Sequence, residues 1–132
     1  MSTIFSKIIS REIAAQFVYE DDVCVVVMDK FPAVIGQTLV IPKVEVDYAF
    51  DLPDDIYNHI FNIAKKIAKA SDIAFSTART CLVVEGFEVP HVHIKLYPMS
   101  KTDDTLGRVI PIQTEKSDAE LQIAADRIRA AL

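Results

Sequence analysis

The sequence predicts an α+β fold: a five-stranded, mainly antiparallel sheet with a long helix and a C-terminal helix. Three observations lead there. Apolar runs of strand length recur as "QFVYEDD", "VCVVVMDK", "QTLVIPK", "RTCLVVEG" and "HVHIKLY". A long segment between the third and fourth runs has helical periodicity instead, and so does the C-terminal stretch. The connections are short, with no linker, repeat or low-complexity segment, so the 132 residues suit one domain with a real core.

The elements follow in order. "IFSKIIS" puts Ile4, Phe5, Ile8 and Ile9 on one face of a short helix. The first two strands join at Asp21-Asp22 as a hairpin. In the second, Val23, Val25 and Val27 face one way and Cys24, Val26 and Met28 the other; both faces are apolar, which predicts a covered, interior strand. Asp29 closes it, "KFPAVIG" is a loop, and Pro42 stops the third strand. Pro53, Asp54 and Asp55 suit the first turn of the helix that follows Asp51, where acids complement the helix dipole. Ile56, Ile60, Ile63 and Ile67 form its apolar stripe, and Lys65, Lys66 and Lys69 are expected near its C-terminal end. Gly86 turns the chain after the fourth strand, and Pro98 is expected to stop the fifth. Ser117 to Glu120 reads as a capping box opening a last helix, with Leu121, Ala125, Ile128 and Leu132 at helical spacing. The helices are expected on one side of the sheet.

Composition excludes some functions. A net charge of −5 argues against non-specific binding to nucleic acid or anionic membrane. No apolar run is long enough to span a bilayer, and the N-terminal segment lacks the layout of a signal peptide. Cys24 and Cys81 are the only cysteines, and no C-x-x-C spacing occurs. Two buried thiols in a reducing cytoplasm are the expected reading.

The stretch "EVPHVHIKLYP" carries the chemistry. Strand alternation puts His91, His93, Lys95 and Tyr97 on one face and Val92, Ile94 and Leu96 on the other. The polar face could simply meet solvent. Two histidines could bind a metal with Glu85 or Glu88, but the Lys95 ammonium would repel a divalent cation. His59, alone on its helix, reads as structural or exposed. A neutral imidazole could instead attack phosphorus covalently, with a carbonyl orienting its other nitrogen and Lys95 holding the phosphate oxygens. The Lys95 charge would also keep a neighbouring imidazole neutral.

These residues, with "TIFSKII", "YEDD", the apolar strand to Asp29 and "LVIPK" in the same order, resemble the histidine triad (HIT) superfamily from about Thr3 to Tyr97. The resemblance implies one HIT-like domain over 1–132, with a core of about 3–100 and a C-terminal extension at 101–132, and a homodimer with a continuous sheet. It implies hydrolysis or transfer at the α-phosphate of a purine nucleotide, such as an AMP-linked phosphoramidate or dinucleoside polyphosphate. His93 then corresponds to the nucleophile and His91 to the residue that orients it. Asp29 corresponds to the carboxylate on the ribose hydroxyls, where two acceptor oxygens suit a diol. Ile4, Phe5, Ile8 and Val27 resemble the apolar walls around the base, for which ordinary core packing is the alternative. The implied partner is a small AMP-like nucleotide, with no nucleic acid and no membrane. No cofactor is implied.

The sequence departs from the family pattern in several places. Lys95 replaces the third signature histidine, which contacts the α-phosphate and assists the leaving group; lysine, with a usual pKa of ~10.4, is a poor proton donor at neutral pH. Gln37 stands for an upstream histidine and can hydrogen-bond but not titrate. Thr3 and Ser6 stand where many bacterial members have a cysteine pair, so no zinc is expected. Phe87 and Glu88 replace residues of the phosphate loop. The alternatives to an enzyme are a nucleotide-binding module with little catalysis and a dimeric interaction protein. Residues 101–132 are expected to include a helix packed on its own domain or across a dimer.

Overall fold

The computed structural model describes residues 2–100 and 115–132. Five strands form one sheet: β1 (Phe17–Glu20), β2 (Cys24–Met28), β3 (Thr38–Pro42), β4 (Arg79–Val83) and β5 (Ile94–Met99). Their spatial order is β1-β2-β3-β5-β4, and every pairing is antiparallel. The helices are α1 (Ile4–Ile9), α2 (Asp54–Phe75) and α3 (Asp118–Ala131), with a 3-10 turn at Ala49–Asp51. The predicted fold class is the observed one.

Both sheet faces are covered, because the strands carry apolar residues at consecutive positions. Cys24, Val26, Val40, Ile94 and Leu96 pack against Ile60, Ile63 and Ala64 of α2. Val25, Val27, Leu39 and Ile41 pack against Phe5 and Ile8 of α1 on the other side. The helices are therefore not on one side, as expected. A short helix with two buried apolar side chains suffices to close the second face.

The hairpin forms at Asp21, whose Oδ1 accepts hydrogen bonds from the Val23 and Cys24 amides, both at 2.8 Å. Its carboxyl resists burial: the desolvation that would raise its pKa is outweighed by bonds from His59, the Cys24 amide, Tyr19 and the Val23 amide, which hold it well below the usual carboxylate range.

α2 runs to Phe75, six residues beyond Lys69, which was expected near its end. Ser71 returns its hydroxyl to the Ile67 carbonyl at 2.8 Å, and Ser76 ends the helix in a left-handed conformation. Lys65, Lys66 and Lys69 consequently sit inside the helix, and no basic residue occupies its last turn.

β5 differs from expectation at both ends. It starts at Ile94, so His91 and His93 precede the ladder. The backbone there is used otherwise: the Val92 amide donates to Val46 O, and the His91 carbonyl accepts from its neighbour's ring. Pro98 does not stop the strand, which continues to Met99. The β3 ladder reaches only Leu96, so Pro98 owes no donor on that side.

The capping box at Ser117 and Glu120 is present, and α3 forms as read. No residue of α3 is buried in the single chain, so of the two expected arrangements packing on its own domain is not seen. The preceding part of the predicted extension, 101–114, lies outside the described residues.

Candidate active site

The site lies where the segment before β5 passes beneath α1. His91 is fully buried and His93 is 5% exposed, so the polar side of this segment does not face solvent. A buried histidine needs partners, and the fold supplies them. The His91 ring bonds Pro42 O through Nε2 at 2.8 Å and Thr3 Oγ1 through Nδ1 at 3.0 Å. A carbonyl can only accept, so Nε2 carries the hydrogen, and in the neutral ring Nδ1 accepts from the Thr3 hydroxyl. Thr3 also caps α1 by accepting from the Ser6 amide at 3.1 Å, and the Ser6 hydroxyl donates to Glu45. Thr3 and Ser6 thus belong to a hydrogen-bonded chain, Glu45–Ser6–Thr3–His91, ending on β3.

His93 is fixed by His91. Its Nδ1 lies 2.8 Å from the His91 carbonyl oxygen. By the same acceptor argument Nδ1 carries the hydrogen, which leaves Nε2 with the lone pair in the neutral ring. Burial lowers the His93 pKa; the His91 carbonyl opposes this, and the charges of Lys95 and His91 add to the lowering. Phe5 packs against the His93 ring at 4.7 Å between centroids and 60° between planes. Lys95, half-buried in β5, pairs with Leu39 and so shares the α1 face. Tyr97 is buried on that face too; burial first, then the Asp29 and Glu85 charges, raise its pKa.

The remaining predicted residues divide into three groups. Phe5, Ile8 and Val27 lie together in the α1-side core, with Phe5 reaching His93. Ile4 is 49% exposed and absent from that core, because the short helix turns it to the surface. Asp29 and Gln37 organise the loop between β2 and β3. Asp29 accepts from the Phe31 amide at 2.9 Å and from the Gln37 side-chain amide at 2.7 Å, and Gln37 Oε1 accepts from the Ala33 amide at 2.7 Å. Gln37 is thus committed to the loop on both its oxygen and its nitrogen.

Sequence reasoning missed Glu45 and the Pro42 carbonyl, and it read Thr3 and Ser6 only as absent cysteines. The T-x-x-S pair opening an apolar helix was the available signal, because a capping threonine has a hydroxyl hydrogen left to give. Asp47 and Phe61, which line a small cleft beside His93, were not singled out either; Glu85 and Gly86, which also line it, were read as a candidate metal ligand and a turn.

A HIT domain model matches residues 10–102. The adenosine 5'-monophosphoramidase of Saccharomyces cerevisiae is 30% identical over 116 residues, which cover 87% of this chain and 72% of that protein. Among solved structures, a member of the HIT family from Bacillus subtilis superposes with a TM-score of 0.85 at 26% identity, covering 100% of this chain and 98% of that one. A histidine triad nucleotide-binding protein from Candida albicans gives 0.81 at 25% identity, covering 98% and 96%. Sheet, helices and histidine segment together define a HIT fold, and this chain belongs to the HIT domain family. No helix among the described residues is long and apolar enough to cross a membrane.

Proposed function

We propose that the protein is a nucleotide phosphohydrolase or nucleotidyl transferase that acts at the α-phosphate of purine nucleotide derivatives through a covalent intermediate on His93. One observation carries this reading: the 2.8 Å bond from His93 Nδ1 to the His91 carbonyl. It makes Nε2 the nucleophilic nitrogen, and the lowered pKa keeps the ring neutral at pH 7.

In the first displacement His93 Nε2 bonds the α-phosphorus as the bond to the leaving group breaks. The leaving amine or phosphate takes a proton from solvent. Positive charge developing on the imidazole is stabilised through Nδ1–H by the His91 carbonyl. Lys95 holds the non-bridging α-phosphate oxygens as a point charge. In the second displacement water attacks phosphorus, the phosphorus–nitrogen bond breaks, the nucleotide leaves, and the attacking water's proton goes to solvent. Another acceptor in place of water makes the reaction a transfer.

An AMP-like substrate is supported by the activity named for the yeast relative. Asp29 has the chemistry for the ribose: its two loop hydrogen bonds occupy about half of the roughly four lone-pair directions of a carboxylate, leaving acceptors for a diol. Phe5, Ile8 and Val27 back the base side, and the assembly is a homodimer. The second reading, a nucleotide-binding module with weak catalysis, is favoured by Gln37, whose loop bonds take it away from phosphate.

His93→Ala is expected to lower turnover of adenosine 5'-phosphoramidate at least about a thousandfold while changing AMP affinity less than about tenfold. Full turnover in that variant would overturn the mechanism. A wild-type protein that binds AMP and turns nothing over would be the binding module.

A further inference from the structure

A second cluster of reactive side chains lies on the opposite side of the sheet from His93. Asp21 and Cys24 come from the β1–β2 turn and the start of β2, and His59 comes from α2. The ligand atoms of these three residues all lie within 4.8 Å of one another. Among the described residues this is the only such group of three or more histidine, cysteine or acidic side chains. We infer that Asp21, Cys24 and His59 bind a zinc ion that fastens the β1–β2 hairpin to α2.

The geometry is close to what zinc requires. Zinc–ligand bonds of about 2.0–2.3 Å at tetrahedral angles separate the ligand atoms by about 3.3–3.6 Å. His59 Nε2 and Asp21 Oδ2 are now 2.6 Å apart, so they must part by less than about 1 Å, and the sulfur must close by little more than that. Small torsion changes in the partly exposed His59 and Asp21 side chains bring their ligand atoms to these distances around the buried Cys24 sulfur.

The supporting shell is already built. Asp21 Oδ1 is held by the Val23 and Cys24 amides, which aims Oδ2 at His59. The Tyr19 hydroxyl donates to the same Oδ2 at 2.8 Å, an orienting contact of the kind that surrounds ligating carboxylates. One thiolate, one imidazole and one carboxylate make a donor set that suits zinc and does not suit magnesium or calcium. The Asp21 and His59 side chains are 21% and 37% exposed, so solvent reaches the cluster and water can complete four-coordination.

The choice of cysteine at 24 supports the same conclusion. Val25, Val26 and Val27 fill the neighbouring positions with almost no exposure, so burial in this strand does not itself call for a thiol at 24. The sulfur is a soft donor within 4.8 Å of the Asp21 and His59 ligand atoms; burial pushes the thiol pKa up to about 12, so the zinc charge must draw off its proton. Binding replaces the Cys24 S–H bond by a sulfur–zinc bond and releases that proton to water. His59 now donates its Nε2 hydrogen to Asp21 Oδ2; on binding, that hydrogen is given up to water, Nδ1 carries the ring's one hydrogen, and the freed Nε2 lone pair bonds zinc. The expectations that no zinc binds at Thr3 and Ser6 and no metal on the His91/His93 strand concern other positions.

The test is a titration of the metal-free full chain with zinc alone, followed by cobalt(II) as a spectroscopic substitute. One zinc per chain is expected, with a sulfur-to-cobalt charge-transfer band that disappears in Cys24→Ala. His59→Gln, at a partly exposed helix position, leaves the fold intact by circular dichroism and is expected to weaken zinc binding about ten- to a hundredfold. Failure of the wild-type protein to bind zinc would overturn the inference. So would unchanged affinity in His59→Gln, which decides the matter even if Cys24→Ala does not fold.

Discussion

The two sides of the segment 91–96, the half-buried Lys95 apart, are almost equally buried and are stabilised in different ways. Val92, Ile94 and Leu96 on the α2 side are each at most 1% exposed and belong to the apolar cluster beneath α2. His91 and His93 on the α1 side are at most 5% exposed, and the hydrogen-bond acceptors and donors they need come from Pro42, Thr3 and the segment's own backbone. The apolar side tolerates rearrangement, because dispersion has no direction. The polar side fixes the tautomer and orientation of both rings, because each hydrogen bond has one donor and one acceptor. Two histidines that alternate with apolar residues therefore acquire a defined tautomer, which the proposed nucleophile requires, only through the partners that sequestration forces on them.

Breaking the apolar side should cost the most stability. Ile94→Ala is expected to destabilise the fold by about 2–5 kcal/mol, measured by urea denaturation, with turnover per folded molecule nearly unchanged. Equal losses from the folded fraction would mean that the two sides are not separable.

Breaking the polar side should cost less stability and more activity. Thr3→Val removes the hydroxyl that meets His91 Nδ1 and also the α1 cap, so a loss of about 2 kcal/mol is expected. The kcat should fall about tenfold with KM little changed, because His91 orients His93 without touching substrate. Thr3→Ser, which keeps the hydroxyl, should restore most of both. A variant that lost stability but kept its kcat would show the chain from Glu45 to His91 to be structural only.

The smallest effect is on pH dependence. Burial, Lys95 and His91 lower the His93 pKa below its usual value in the folded state. The neutral, nucleophilic ring then persists below about pH 6.5, and the acidic limb of a kcat/KM profile should lie below that value. Between the folded and unfolded pKa values the unfolded chain binds the extra proton. This group's contribution to stability is therefore complete above about pH 6.5 and is lost as pH falls towards the folded pKa. Lys95→Met removes one of the lowering charges and should move the acidic limb upward; no movement would remove Lys95 from that role.

The sequence made the architecture legible because its signals were local. The β2 valines, the α2 isoleucine stripe and the Ser117–Glu120 capping box each determine an element by spacing alone. What it hid depended on contacts between distant segments. Placing α1 opposite α2 depends on which apolar face each helix finds, and both sheet faces were apolar. Gln37 was expected among the nucleotide-binding residues as a side chain able to hydrogen-bond, because nothing local shows that the loop amide of Ala33 and the Asp29 carboxylate consume it. The Thr3–His91 contact spans 88 residues, and the approach of His59 to Asp21 spans 38; neither has a sequence signature. Lys95 was read from the same pattern as His93, and its position beside Leu39 keeps it on the proposed reaction face.

The most direct test of the central claim is mass spectrometry of the wild-type protein, rapidly quenched during turnover of adenosine 5'-phosphoramidate. The account predicts an adenylyl adduct on His93 that forms within a turnover and is absent from His93→Ala. Product formation with an adduct on another residue, or with none at any quench time while His93→Ala remains active, would contradict it.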